Sequence, residues 1–339
     1  MSRPALSTPL VLDLDGTVIQ TDLLGESLLG YLRLHPFGVF QVALWVLAGR
    51  AALKRELARA GPVDIESLPL REDIVAYARA QAEGGRRVVL ATAADETLAR
   101  RVADRLGFID QVIASDGLRN LKGANKAKAL REAFPGGFAY AGDAEADLAV
   151  WRDADEIIFA GASLRLLARC QALGKLVTAL PAPKANARCW IKALRLHQWA
   201  KNALIFPPLF LGGAILSPHA WIACGLGFLA MGLMASATYV VNDLLDLPDD
   251  RRHWTKRERP FASGRLTILA GLPIPPLGVL AGFGLAYLAG GGPWVGMLAI
   301  YLPPPSPTAS GSSACRSWTW WCWPGSSPFA WPSAWSAPK

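Results

Sequence analysis

The stretch Pro9-Leu-Val-Leu-Asp-Leu-Asp-Gly-Thr17 decides the fold. An apolar run of this length that breaks into paired carboxylates and a Gly-Thr turn reads as a buried strand with its chemistry at the C-terminal end. Arg87-Val-Val-Leu-Ala-Thr-Ala-Ala-Asp95 repeats the pattern ahead of a helical stretch from Glu96 to Leu106. Phe138-Ala-Tyr-Ala-Gly-Asp143 repeats it again before Ala-Glu-Ala-Asp-Leu-Ala-Val-Trp151. Short apolar strands alternating with helices predict an α/β, Rossmann-like domain whose parallel sheet carries functional residues at its strand C-termini. Between the first two strands, residues 22 to 82 are too long for a βα loop and read as a helical cap over the sheet edge. Within that cap, Phe37-Gly-Val-Phe-Gln-Val-Ala-Leu-Trp-Val-Leu-Ala48 is apolar enough to touch a bilayer, although its length predicts a buried cap helix.

Working outward, residues 1–175 form this domain, and 176–190, with Leu180-Pro-Ala-Pro-Lys-Ala-Asn186, read as a linker. The next part differs in kind. Ala203–Ser217, Ala220–Val241 and Thr267–Ala289 contain no Asp, Glu, Lys or Arg, and a fourth apolar run begins at Trp294. The second and third reach the ~20 residues that a bilayer requires, while Pro207-Pro208 interrupts the first. The whole chain agrees: 52% hydrophobic and only 18% charged residues, with a mean hydropathy of +0.25, make an ordinary soluble domain a poor fit. Basic residues Lys192, Arg195, Lys201, Arg251, Arg252, Lys256, Arg257 and Arg259 flank the spans. They predict an inner-membrane, multi-pass protein with both clusters and the N-terminal domain in the cytoplasm. The net charge of +8 therefore points to an anionic membrane face, and no nucleic-acid partner is expected. Met1 to Leu10 lacks a basic, then apolar, secretory signal, and five unpaired-looking cysteines suit a reducing compartment.

Two carboxylates at i and i+2 on a strand end can divide a phosphoryl transfer. One attacks phosphorus while the other handles the leaving-group proton. Such a site also needs a hydroxyl and a cation for the phosphoryl oxygens, and further acids for a metal ion. Thr92, Lys126 in Lys122-Gly-Ala-Asn-Lys126, and Asp143 with Asp147 supply these in order. Lys122 competes with Lys126, which is preferred because its helix start would point it back at the strand ends. Residues 8–160 resemble the haloacid dehalogenase (HAD) phosphatase superfamily. The resemblance implies Asp13 as nucleophile, Asp15 as general acid/base, Thr92 and Lys126 as phosphate ligands, and Mg2+ held among Asp13, Asp15, Asp143 and Asp147. A phosphorylated small molecule is the implied substrate.

At the end of the second span, Tyr239-Val-Val-Asn-Asp-Leu-Leu-Asp-Leu-Pro-Asp-Asp250 places Asn242, Asp243, Asp246 and Asp250 near one helical stripe, provided the helix persists or bends at Pro248. Oxygen donors on one stripe at a membrane surface can hold Mg2+ against a diphosphate, and the following Lys256 and Arg259 add charge-assisted donors. Residues 192–302 resemble the UbiA superfamily of intramembrane prenyltransferases, with Asn242-Asp-x-x-Asp-x-x-x-Asp250 and Arg259-Pro260 as the matching motif. The entry segment Leu194-Arg-Leu-His-Gln-Trp-Ala-Lys-Asn202 is similar to the branch that transfers phosphoribose to decaprenyl phosphate. The resemblance implies metal binding by the four motif residues, phosphate binding by Lys201, Lys256 and Arg259, and a polyprenyl phosphate or diphosphate partner. The fusion implies a UbiA-type transferase joined to a Mg-dependent HAD phosphatase. Prenyl transfer to an aromatic acceptor and a membrane-anchored phosphatase alone are the alternatives.

Residues 303–339 contain no Leu, Ile, Val, Asp or Glu, yet hold six of the 13 tryptophans and eight of the 25 prolines. Trp318-Thr-Trp-Trp-Cys-Trp323 has to be encoded TGG ACN TGG TGG TGY TGG. Read one base earlier, that string fixes an Asp and a Val-Val-Leu, the kind of sequence expected of a second acidic motif in the same transferase branch. The expectation is a net one-base deletion near codons 302–306, leaving a partial membrane domain and a disordered, out-of-frame tail.

Overall fold

The structure, a computed structural model, describes residues 8–115, 121–182 and 185–301. Six strands, β1 (Leu10–Leu12), β2 (Val88–Asp95), β3 (Gln111–Ser115), β4 (Ala139–Gly142), β5 (Glu156–Phe159) and β6 (Leu176–Ala179), form one parallel sheet in the order β3-β2-β1-β4-β5-β6. Its central strand shows why the opening run is continuous in hydrophobicity. Leu10, Leu12 and Leu14 enter one apolar cluster and Val11 the other, so both faces of β1 are buried under helices. The sheet reverses direction of winding between β1 and β4, and a crevice opens outside their C-terminal ends, where Asp13 and Asp143 emerge. Strand β6 pairs with β5 from Glu156↔Leu176 to Phe159↔Ala179, so the α/β domain extends through part of the expected linker. That strand is partly exposed at a sheet edge, and its alternation is too short to read in sequence.

The cap between β1 and β2 contains the helices Leu23–Leu34, Val39–Leu47, Arg50–Ala60 and Glu72–Glu83. Asp22 starts the first by accepting the Gly25 N–H at 2.6 Å. The buried Arg71 ties the end of the cap to the sheet, donating to the Ala160 and Leu180 carbonyls at 2.7 Å and to both oxygens of Asp73. One expectation fails here: the apolar cap helix Val39–Leu47 has no buried residue. It packs against its neighbours through Trp45, whose ring lies 5.0 Å from that of Tyr31, while Phe37, Phe40, Leu44 and Leu47 stay exposed.

In the second half, two helices are long and apolar enough to cross a membrane, Pro218–Leu245 and Ile268–Gly290. The expected first span is not one of them. Residues Leu196–Ile205 form a 3-10 helix and Pro207–Leu211 a single short helix, because Pro207-Pro208 cannot continue a hydrogen-bonded ladder. The fourth run gives a ten-residue helix, Gly292–Tyr301. The tail lies outside the described residues.

The two halves meet through the cap. Leu29 packs into a cluster with Ala193, Val240, Leu244, Leu266 and Ile268, all at one end of the two long apolar helices. Beside it Arg251 donates to both oxygens of Glu26 at 2.7 and 3.1 Å, with both side chains at most 8% exposed, and the Thr21 hydroxyl donates to the same carboxylate. Gly264 sits at φ +72° where a Cβ would lie 2.3 Å from the Gln20 carbonyl oxygen, so the loop after Asp15 and the loop between the two long apolar helices touch backbone to backbone.

Candidate functional site

The first site is built where β1 and β4 lie side by side. Asp13 follows β1 and Asp143 follows β4, while Asp147 sits on a short helical turn whose first residues fold back under Asp143. Ligand oxygens of Asp13, Asp143 and Asp147 lie within 4.8 Å of one another, the sole cluster of three or more metal-ligating side chains among the described residues. Hard carboxylate oxygens at this separation suit Mg2+. Close approach of the two strand-end loops depends on Gly16, at φ +77°, where a Cβ would stand 2.4 Å from an Asp143 oxygen.

Lys126 is brought to the same point by the helix Ala124–Ala133. Its ammonium is 2.9 Å from Asp13 and 3.9 Å from Asp147, and it is buried, whereas Lys122 is exposed. Burial alone would draw this ammonium's pKa down. The Asp13 and Asp147 carboxylates outweigh that and hold it above the ordinary lysine value. Tyr140 completes the arrangement from β4. Its hydroxyl accepts from Lys126 at 3.0 Å and donates to Asp147 at 2.9 Å, and burial followed by the neighbouring carboxylates keeps the phenol protonated.

The carboxylates divide by environment. Asp143 is pushed up to about 7 by desolvation first and then by Asp13 and Asp147, against a hydrogen bond from the Thr17 hydroxyl. Asp15 is also raised to about 7, chiefly by desolvation, although it accepts the Leu23 N–H at 3.0 Å. A carboxyl poised there can give and take a proton near neutrality. Asp15 stands outside the three-carboxylate cluster, so the expected four-acid metal set is drawn by the structure as three. Asp147 spends one oxygen on the Asp143 and Ala144 N–H groups and the other on Tyr140, which makes it an orienting group as well as a ligand candidate. Thr92 is fully buried in β2, two residues beyond the Leu12↔Leu90 pair, with its hydroxyl accepting the Ala94 N–H at 3.0 Å.

The second site lies where the long helix Pro218–Leu245 ends. The chain bends at Asp246 and resumes as Leu247–Arg252, and that bend carries Asp250 back beside Asp243. Arg259 bridges the pair, donating to Asp243 at 3.1 Å and to Asp250 at 2.7 Å, and Arg195 donates to the same Asp243 oxygen at 2.6 Å. Lys256 is 3.8 Å from Asp250, and Lys201 is exposed. Asn242, Asp243, Asp246 and Asp250 do not form a group of three or more acids around one point; Arg259 stands between the two buried carboxylates. The other Asp250 oxygen, the one nearest Lys256, and the amide nitrogen of Asn202 are buried without a hydrogen-bond partner.

Residues 205–303 match the UbiA prenyltransferase family. This segment is a UbiA domain. The chain is 40% identical over 281 residues to protein y4nM of Sinorhizobium fredii, covering 83% of this chain and 54% of that one. It is 39% identical over 109 residues to the decaprenyl-phosphate phosphoribosyltransferase of Corynebacterium glutamicum, 32% of this chain and 33% of the transferase. It thus spans about half the length of the first relative and a third of the second. Among solved structures, a probable phosphoserine phosphatase of Vibrio cholerae aligns at 16% identity with a TM-score of 0.37, covering 52% of this chain and 62% of the phosphatase. A Bordetella pertussis protein of unknown function aligns at 18% identity and a TM-score of 0.36, covering 50% of this chain and 97% of its own.

Sequence reasoning left three contributors unassigned. Thr17 lies inside the quoted motif but had no role, Arg195 was read only as a topology signal, and Tyr140 looked like one more apolar residue of a buried strand. Only the last carried no usable signal, since a tyrosine in a strand is ordinarily core.

Proposed function

We propose that the N-terminal domain is a Mg2+-dependent phosphomonoesterase and that the UbiA domain belongs to a transferase acting on a polyprenyl phosphate or diphosphate. The phosphatase reading is carried by the cluster of Asp13, Asp143 and the buried Lys126 and Asp147 at the sheet's switch point. An Asp13 oxygen attacks phosphorus and the ester oxygen leaves with the Asp15 proton, giving an acyl phosphate on Asp13. Asp15, now ionised, takes a proton from water as that water cleaves the acyl phosphate and releases inorganic phosphate. Lys126 neutralises Asp13 before attack and the phosphoryl oxygens during it, with Thr92 as a second donor. Mg2+, held by Asp13 and Asp143 and oriented through Asp147, would supply charge neutralisation that lets an anionic nucleophile approach an anionic phosphate. Phosphate release from a phosphomonoester by the full chain in detergent, with and without Mg2+, tests this. Asp13→Asn abolishing turnover is the expected result, and undiminished turnover refutes it.

The transferase reading rests on the UbiA match together with Arg195, Lys256 and Arg259 converging on Asp243 and Asp250. The similarity to decaprenyl-phosphate phosphoribosyltransferases favours phosphoribosyl diphosphate over a prenyl diphosphate as donor. Radiolabelled donors supplied to membranes separate the two, and the anchored-phosphatase alternative predicts that neither is consumed. The same reading has the coding sequence leave its frame near codons 302–306. Resequencing the locus tests that, and an unbroken frame through Lys339 overturns it.

A further inference from the structure

The cap helix Val39–Leu47 has no buried residue, and its apolar face is uncovered among the described residues. Phe37 is 77% exposed, Phe40 74% and Leu47 83%, with Val39, Leu44 and Val46 all above half. These side chains occupy the helix face turned away from Gly38, Val42 and Trp45, which hold the helix to the cap. Gln41 is the sole polar side chain between Phe37 and Leu47. Soluble proteins rarely expose large contiguous apolar faces, and such faces commonly mark sites of contact with protein, ligand or membrane.

The helix is tethered at a defined place. The preceding helix, Leu23–Leu34, is clamped across one end of the spanning helices by Leu29 in the cluster with Val240 and Leu244, by Glu26 on Arg251, and by Arg33 at 3.8 Å from Asp249. A 3-10 turn, Pro36–Gly38, begins two residues later and leads directly into the apolar helix Val39–Leu47. Its neighbours in sequence include Arg33, Arg50 and Arg55, with no acidic residue between Glu26 and Glu56, and charge of that sign is what an anionic leaflet attracts. An apolar face with basic flanks, fixed beside helices that cross a bilayer, has the composition of an interfacial helix.

We propose that Pro36–Leu47 lies in the headgroup region of the same membrane face, seating the α/β domain on the lipid surface through a second contact besides the spanning helices. The occupant of the exposed face is lipid. Phe37, Phe40, Leu44 and Leu47 enter the acyl boundary and Trp45 remains on the protein side. This seating turns the cap, and the cleft beneath it, toward ligands that arrive in the bilayer. It does not depend on the phosphatase chemistry proposed above, and the following test does not read activity.

The full chain is reconstituted in nanodiscs of phosphatidylcholine with phosphatidylglycerol, carrying a fluorescent noncanonical amino acid in place of Phe40 or Leu47, one at a time. Both positions are exposed, so the replacement leaves the packing intact. Glu132, on an exposed helical site of the α/β domain, serves as the aqueous control. The expected result is that lipids bearing a nitroxide on the acyl chain quench positions 40 and 47 several-fold more than position 132, while aqueous iodide shows the reverse order. Iodide quenching at 40 and 47 equal to that at 132 overturns the proposal by placing the helix in water. Protection from both quenchers also overturns it, by showing a protein surface, from a second copy or another chain, in place of lipid.

Discussion

Replacing Lys126 by methionine isolates the charge that organises the first site, because methionine keeps the length and apolar stem and removes the ammonium. At 2.9 Å from Asp13, and with an effective dielectric near 20, the pair interacts by about 6 kcal/mol before desolvation is subtracted. Desolvation is substantial, since both side chains are largely buried, so the net value is smaller. For turnover, the relevant quantity is how much more the ammonium stabilises the phosphoryl oxygens in the transition state than in the ground state. Removal of one preorganised donor of this type lowers kcat by about 10²–10³. Lys122→Met, four residues away and exposed, changes turnover by less than about three-fold, as surface substitutions remote from a site do. The assay is phosphate release from a phosphomonoester by the full chain at saturating Mg2+, with thermal unfolding of each variant as a check on folding. A folded Lys126→Met protein that keeps more than a third of its activity refutes the reasoning. Equal losses in the two variants refute it as well.

Tyr140→Phe removes a hydroxyl that bonds two charged groups, and at about 1.5–3 kcal/mol for such bonds the variant loses roughly 10- to 150-fold in kcat/KM. An unchanged Mg2+ activation curve together with full activity would leave Tyr140 as simple core. Arg251→Met strands the buried Glu26 carboxylate and destabilises the junction of the two halves by about 3–5 kcal/mol, whereas adding Glu26→Leu recovers much of the loss. Thermal unfolding in detergent checks this, and a double variant as unstable as the single one contradicts it. Asp15 and Asp143 have folded pKa values raised to about 7 from an ordinary 3.8, so the metal-free native state binds more protons than the unfolded chain between those values. Stability of the metal-free α/β domain therefore falls as pH rises from 4 through 7, and Mg2+ stabilises it more at pH 8 than at pH 5. Melting curves with EDTA and with Mg2+ at the two pH values measure it; a metal-free protein more stable at pH 8 would contradict the sign.

Much of the first site was legible because its residues follow apolar strands directly. A strand buried on both faces has to be apolar throughout, so the acids at Asp13 and Asp143 stand out as soon as the run ends. Helix Glu96–Leu106 appears with the same bounds in sequence and structure, since Asp95 caps one end and Gly107 at φ +73° closes the other. The second site was legible as a list of donors but not as an arrangement. Spacing placed four of them near one stripe of a helix that persists or bends at Pro248, whereas the chain bends at Asp246, Arg259 bridges Asp243 and Asp250, and Arg195 binds Asp243.

The sequence by itself determined the class of each half, because hydrophobic periodicity and the absence of charge over about 20 residues are local properties of the chain. It also determined which strand ends carry acids. The tertiary structure alone decided that Tyr140 bridges Lys126 to Asp147, that Arg259 links Asp243 to Asp250, and that the apolar cap helix faces outward. Each of these depends on which surfaces lie opposite one another after the chain has closed. Apolar content records that a segment will avoid water, but packing determines whether protein or lipid takes the water's place.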